Sequence, residues 1–262
     1  MAGGGRWQDL SSRLVSGAAM ALVGVVIIAL GGLAFRVLAA TVAAVIVWEL
    51  ARMLAPAARG IAAIAAALAL AIIVALRLLP GEAIVLVVLP AALGAAGLPA
   101  GRLAFAAFAL AAVLAAAGLA GFRDDHGMVW LIWLLVVVIA TDICGYFAGR
   151  AIGGPRFWPA VSPSKTWSGT VAGWLAAAAI GLVFRTFTNA GVDLPWISVA
   201  LAMSAQAGDL AESALKRRAG VKDSSALLPG HGGLFDRFDG LLGASLFMLV
   251  LQFFVAVPEV RL

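Results

Sequence analysis

Apolar runs of about 20 residues, parted by short polar breaks, take up almost the whole chain. Nine stand out, at 14–33, 37–54, 60–79, 82–99, 102–121, 128–149, 167–186, 195–216 and 239–257. A helix rises 1.5 Å per residue, so each run is about long enough to cross a hydrocarbon core of ~30 Å. Pro56, Pro80 and Pro99 fall at breaks between runs, where a missing backbone donor does least harm. The first five runs are built from Ala, Leu, Val, Ile and Gly and carry little that is reactive. In the Ala-rich stretch from Ile61 to Leu79, small side chains let helices approach closely. The expected fold is all-α: a polytopic integral membrane helix bundle of about nine transmembrane helices. Its expected parts are the transmembrane helices of residues 1–125 and a second transmembrane region, 126–262, with polar loops 150–166 and 217–238.

Composition narrows this further. The chain of 262 residues is 64% hydrophobic and 12% charged, with a mean hydropathy of +1.08. Soluble domains carry about 25% charge. The net charge of +5 comes without a basic, aromatic-interleaved face, so nucleic acid is not expected as a partner. The single cysteine, Cys144, excludes an intramolecular disulfide. The basic opening MAGGGRWQDLSSR leads into a long apolar run and straight on to a second, which reads as an uncleaved first span rather than a signal peptide.

With a cytoplasmic N-terminus and nine alternating spans, only Arg36, Arg77, Arg123, Arg185 and Arg261 fall outside. The other thirteen of the 18 lysines and arginines lie on the cytoplasmic side. That bias places both polar loops in the cytoplasm.

Besides Glu82 and Asp239, which open their runs, four carboxylates lie within the runs: Glu49, Asp142, Asp209 and Glu212. A charge at mid-bilayer costs roughly 2.5–3.5 kcal/mol on insertion scales, so each needs a partner or a wet cavity. Glu49 stands near a helix end, one turn from Arg52, and is expected to form a snorkelling ion pair with it. Asp142, deeper and followed by Gly145, Tyr146, Gly149 and Arg150, is expected to face a site. In the first polar loop, Gly153-Gly154-Pro155 and Pro159 exclude a continuous helix. Ser162, Ser164, Lys165 and Thr166 then precede a helix starting at Trp167, an arrangement that serves either an anion or a simple cap.

Ten of the 31 charged residues are gathered between Gly208 and Gly240, one eighth of the chain. Asp209, Glu212 or Ser213, and Lys216 share a helix face, and Glu212 to Lys216 is the favourable order for an ion pair. Lys222-Asp223 follows, then the glycine loop Pro229-Gly230-His231-Gly232-Gly233, whose backbone donors can approach a ligand closely. Asp236 and Asp239 bracket Arg237. Hard oxygen ligands (Asp209, Asp236, Asp239, with Asp223 a fourth candidate) suit Mg²⁺ or Mn²⁺, while the cations suit a polyphosphate. A metal with lysine and arginine on a membrane bundle reads as phosphoryl or nucleotidyl transfer.

The stretch resembles the phosphatidate cytidylyltransferase (CDP-diacylglycerol synthase) family. Ser213, Lys216, Arg217, Lys222, Asp223, Pro229, His231, Gly232, Gly233, Asp236, Arg237 and Asp239 stand at the family's spacing. The Asp142 to Arg150 segment, the Ser162 to Trp167 loop and Gly208-Asp209-Leu210 with Glu212 are also similar. Specific likeness covers roughly residues 140–245, and Ser164 departs from the glycine or lysine expected there. The resemblance implies transfer of CMP from CTP to phosphatidate at the cytoplasmic face of a bacterial inner membrane. It implies Mg²⁺ on Asp209, Asp236 and Asp239, and leaves room for Mn²⁺, a second, monovalent cation and a homodimer in the lipid bilayer. Asp209, Lys222, Asp223, His231, Asp236, Arg237 and Asp239 would form the catalytic set. Ser162, Lys165, Thr166, Ser213, Lys216, Arg217, Gly232 and Gly233 would bind substrate. A CTP-dependent polyprenol or phytol kinase would not be expected to reproduce this full run. A transporter would carry polar mid-span residues in both halves, which the inert first five runs lack.

Overall fold

The computed structural model describes residues 22–79, 81–228, 230 and 232–258. A helical stretch over 22–30 (α1) is followed by α2 (Gly32–Leu54), α3 (Arg59–Ala75), a 3₁₀ stretch (Gly81–Val88), α4 (Leu89–Gly97), α5 (Arg102–His126) and α6 (Met128–Ile152). A hairpin of β1 (Arg156–Trp158) and β2 (Ser162–Thr166) intervenes before α7 (Trp167–Phe187), α8 (Leu194–Arg218) and α9 (Phe235–Leu251).

The breaks follow backbone chemistry. Gly127, at φ 85°, ends α5 and opens α6, and Gly153, at φ 67°, ends α6; both occupy the left-handed region that side chains disfavour. The apolar run at 82–99 is not one α-helix. Pro90 lacks an N–H and crowds the residue before it, so the 3₁₀ stretch gives way to α-helix there, with Pro90 in the first turn of α4. The first polar loop contains the only strands among the described residues, paired antiparallel with Arg156 opposite Thr166 and Trp158 opposite Ser162.

Among the described residues, four helices are long and apolar enough to cross a membrane: α2, α5, α6 and α7. The helix α8 has the length, at 25 residues, but its last turns carry Asp209, Glu212, Lys216, Arg217 and Arg218. The helices α3 and α9 have 17 residues each. The first predicted run begins outside the described residues. Leu33, Phe147, Leu175 and Val183 point outward, as a lipid-facing surface requires.

Two apolar cores result. One joins α2, α3, α4 and α5 and also takes in Leu215 of α8 and Phe235 of α9. The other joins α6 to α9 with Phe35, Leu119 and Phe122. Phe235, fully buried, meets Phe108 of α5 edge to face at 6.0 Å. The start of α9 is thereby packed into the N-terminal half. An apolar chamber of about 540 Å³ lies between α2, α5, α6 and α9, with Leu234 and Phe238 among its walls.

Candidate active site

The site begins with a helix crossing. At Gly208 of α8 an added Cβ would collide with the Asp239 carbonyl and lie 3.0 Å from the Gly243 nitrogen; at Gly243 it would collide with the Ser204 carbonyl. Only glycines allow α8 and α9 to meet backbone to backbone. This crossing sets Asp209 beside Asp239, and one turn on, Glu212 joins them. Carboxylate oxygens of all three lie within 4.8 Å of one another. Glu212 is 1% exposed, and neither of its oxygens has an aligned hydrogen-bond donor. Lys216 Nζ stands 2.6 Å from its Oε2. Two ammoniums, Lys216 and the Lys165 that pairs with Asp209, stand against these three carboxylates and Asp236, which leaves negative charge uncompensated, as a divalent cation needs.

Cations approach from two sides. Lys165, carried on β2, forms an ion pair with Asp209. Asp142 of α6 lies in the electrostatic field of Asp209 and Lys165, as its position predicts. Lys216 spans from Glu212 to Asp236, whose Oδ1 is 2.7 Å away. Ser213 donates to Asp209 Oδ1 at 3.3 Å, and Asp239 Oδ1 accepts the Gly240 N–H at 2.7 Å.

Asp236 is engaged differently from its neighbours. Besides Lys216, it accepts the Ser224 N–H at 2.9 Å and the Gly233 N–H at 2.7 Å, and the Ser224 hydroxyl, whose one proton it shares with Glu49, lies 3.0 Å away. Its carboxylate therefore organises the loop, while Glu212, absent from the residues expected on the metal, completes the acidic cluster. The glycines serve the same tight folding. Gly232 has φ 81°, and a Cβ there would lie 2.8 Å from Asp236 Oδ2; at Gly233 it would collide with the Ser224 hydroxyl. The Gly233 N–H, expected to face a ligand, is spent on Asp236.

Glu49 departs from expectation. It makes no ion pair with Arg52, which instead donates to the Pro56 carbonyl. Glu49 is fully buried and accepts hydrogen bonds from Ser224, Ser225 and the N–H groups of Leu234 and Phe235. A carboxylate inside an otherwise inert span was the available signal, but its partners lie some 180 positions away.

Arg217, Lys222, Asp223 and Arg237 are exposed, and Arg217 reaches the Val221 carbonyl at 3.5 Å. Ser162 is half-buried on β2. Thr166 caps α7, accepting the Gly169 N–H at 3.2 Å, so the capping role of that loop is present. His231 and Pro229 lie outside the described residues.

A model of the cytidylyltransferase family matches residues 11–255. The chain belongs to that family. Among its relatives, phosphatidate cytidylyltransferase of Brucella suis is 42% identical over 168 residues, 63% of this chain and 60% of the relative. The protein of that name from Haemophilus influenzae is 40% identical over 137 residues, 50% of this chain and 48% of the relative. That from Bacillus subtilis is 38% identical over 131 residues, 49% of each. The chain thus spans 60% or less of the length of these relatives.

Proposed function

We propose that the protein transfers CMP from CTP to phosphatidate, giving CDP-diacylglycerol and pyrophosphate. The observation that carries this reading is the cluster of Asp209, Glu212 and Asp239, flanked by Lys165 and Lys216 at the polar end of an apolar bundle. The names of the relatives point the same way.

A phosphate oxygen of phosphatidate bonds to the α-phosphorus of CTP. The bond from that phosphorus to the oxygen bridging the β-phosphorus breaks, and its electron pair departs with pyrophosphate. The nucleophile is already an anion, so no base is required, and the burden falls on bringing two polyanions together in line. Glu212, buried with Oε2 on Lys216 and Oε1 without a hydrogen-bond donor, fits a bound cation. Asp209, Glu212 and Asp239 would hold it, and Mg²⁺ or Mn²⁺ there supplies charge neutralisation of the triphosphate and of the leaving pyrophosphate. Lys165, Lys222 and Arg237 hold phosphate oxygens from the loop side, with Ser162, Thr166, Ser213, Lys216, Arg217 and the Gly232-Gly233 backbone lining the approach. Asp236 keeps Lys216 and the loop in place, and Asp223 and His231 belong to the same catalytic set.

Nine spans with a cytoplasmic N-terminus, the thirteen-to-five distribution of cations and an inner-membrane setting belong to the same reading. So does a division into helices 1–125 and a catalytic region 126–262, with room left for a homodimer in the bilayer. The test is direct: purified protein receives α-labelled CTP and phosphatidate, with and without Mg²⁺. Metal-dependent label in CDP-diacylglycerol with release of pyrophosphate supports the assignment; wild-type protein that yields no labelled lipid sinks it.

A further inference from the structure

The Glu49 carboxylate belongs to the half of the chain that carries no chemistry of its own, yet its contacts all run to the catalytic loop. Each oxygen takes one backbone donor and one serine. Oε1 accepts the Leu234 N–H at 2.9 Å and the Ser225 hydroxyl at 2.6 Å. Oε2 accepts the Phe235 N–H at 2.7 Å and the Ser224 hydroxyl at 3.3 Å. Leu234 and Phe235 open α9, so their N–H groups have no partner within that helix. A carboxylate there satisfies two of them and complements the positive end of the helix dipole. Around it, Phe235 is sunk into the N-terminal core, and Gly233 approaches so closely that a Cβ would come within 2.6 Å of Glu49 Oε1.

Ser224 extends this contact to the site. Its hydroxyl lies between Glu49 and Asp236, and its N–H also donates to Asp236. Asp236 in turn holds Lys216, which stands against Glu212 of the acidic cluster. One hydrogen-bonded chain therefore runs Glu49, Ser224, Asp236, Lys216, Glu212. It links a transmembrane helix of the inert half to the candidate metal site.

We infer that Glu49 is a positioning residue for the transfer reaction: it clamps Ser224, Ser225, Leu234 and Phe235 to α2 and sets the register in which Asp236 and Asp239 enter α9. This rests on the proposed nucleotidyl transfer, but it has a structural consequence of its own. Glutamine at 49 matches glutamate in size but has only one carbonyl oxygen. Whichever way it is turned, its NH₂ faces one of the two backbone N–H groups. The serines can rotate to compensate; the backbone donors cannot.

The test compares wild type, Glu49→Gln, Ser224→Ala and the double variant as full-length protein in detergent. It measures hydrogen–deuterium exchange by segment and kcat and KM per folded molecule. Expected for Glu49→Gln is faster exchange confined to 224–235, unchanged exchange in the centres of α2 and α5, and kcat lower by about 10–100-fold, the range typical of lost outer-shell orientation. KM for CTP moves far less than kcat. Adding Ser224→Ala to Glu49→Gln costs little more, since both act through Asp236. Two results overturn the inference: unchanged exchange across 224–235 in Glu49→Gln, or exchange raised throughout α2 and α5 with kcat per folded molecule retained. Should Glu49→Gln fail to fold, Ser224→Ala alone decides, by the same local exchange and kcat criteria. If wild type makes no lipid-linked CMP, the functional reading fails while the exchange result still judges the clamp.

Discussion

Replacing Gly208 by alanine tests whether the crossing of α8 and α9 is what assembles the acidic cluster. The added Cβ would collide with the Asp239 carbonyl and stand 3.0 Å from the Gly243 nitrogen and 3.1 Å from its Cα. Comfortable contact needs about 3.5–4.0 Å, so the two helices must part by roughly 1 Å. Overpacking of this kind destabilises by about 1–3 kcal/mol. The larger effect is on chemistry, because Asp209 and Asp239 lie next to the contact, and a displacement of about 1 Å can lower turnover on the order of 100-fold. Gly121 of α5 provides the control: a Cβ there meets nothing within 4 Å. Gly121→Ala should leave activity intact and raise stability by up to about 1 kcal/mol from helix propensity. The assay is CDP-diacylglycerol formation per folded molecule, with thermal unfolding in detergent run in parallel. Turnover within twofold of wild type in folded Gly208→Ala would refute the reasoning, since the cluster would then tolerate the parting of its helices.

Lys216→Met removes the ammonium between Glu212 and Asp236, whose side chains are 1% and 8% exposed. Leaving buried carboxylates unpaired should destabilise by about 3–5 kcal/mol; adding Glu212→Gln should restore part of the loss, as read by thermal unfolding. Single cysteines at Ser164 and Ala226, in a Cys144→Ser background, should both resist an impermeant thiol reagent applied outside intact cells and react after permeabilisation. Labelling of either from outside would place the site on the wrong face of the membrane.

Much of the bundle was legible because a bilayer demands long apolar helices, and 102–121, 128–149 and 167–186 each correspond to a helix of the structure. The run at 82–99 was misleading. Hydropathy does not register Pro90, which divides it into 3₁₀ and α-helical parts. Within the site, Asp209 and Asp239 were found from their spacing, and the crossing at Gly208 and Gly243 places them together. Glu212 was hidden by its own ion pair: Lys216 four residues on supplied a local explanation, which is present, and the burial that leaves Oε1 without a donor is a tertiary fact. Asp236 sits in the same motif as Asp239, yet backbone donors from Ser224 and Gly233 turn it toward the loop. Glu49 was given the nearest cation as partner because a sequence displays neighbours along the chain only. Its true partners are brought to it by the packing of Phe235 against α5.

Asp209, Glu212 and Asp239 together are expected to hold a divalent cation. Mn²⁺ titrated into the detergent-purified protein and followed by loss of the free-ion paramagnetic resonance signal measures this without substrate. Wild type should bind with an affinity that falls at least tenfold in Asp239→Asn and in Glu212→Gln, each shown to be folded by thermal unfolding, with Mg²⁺ competing for the same site. Unaltered Mn²⁺ binding in both variants would contradict the account, for the cation would then sit elsewhere.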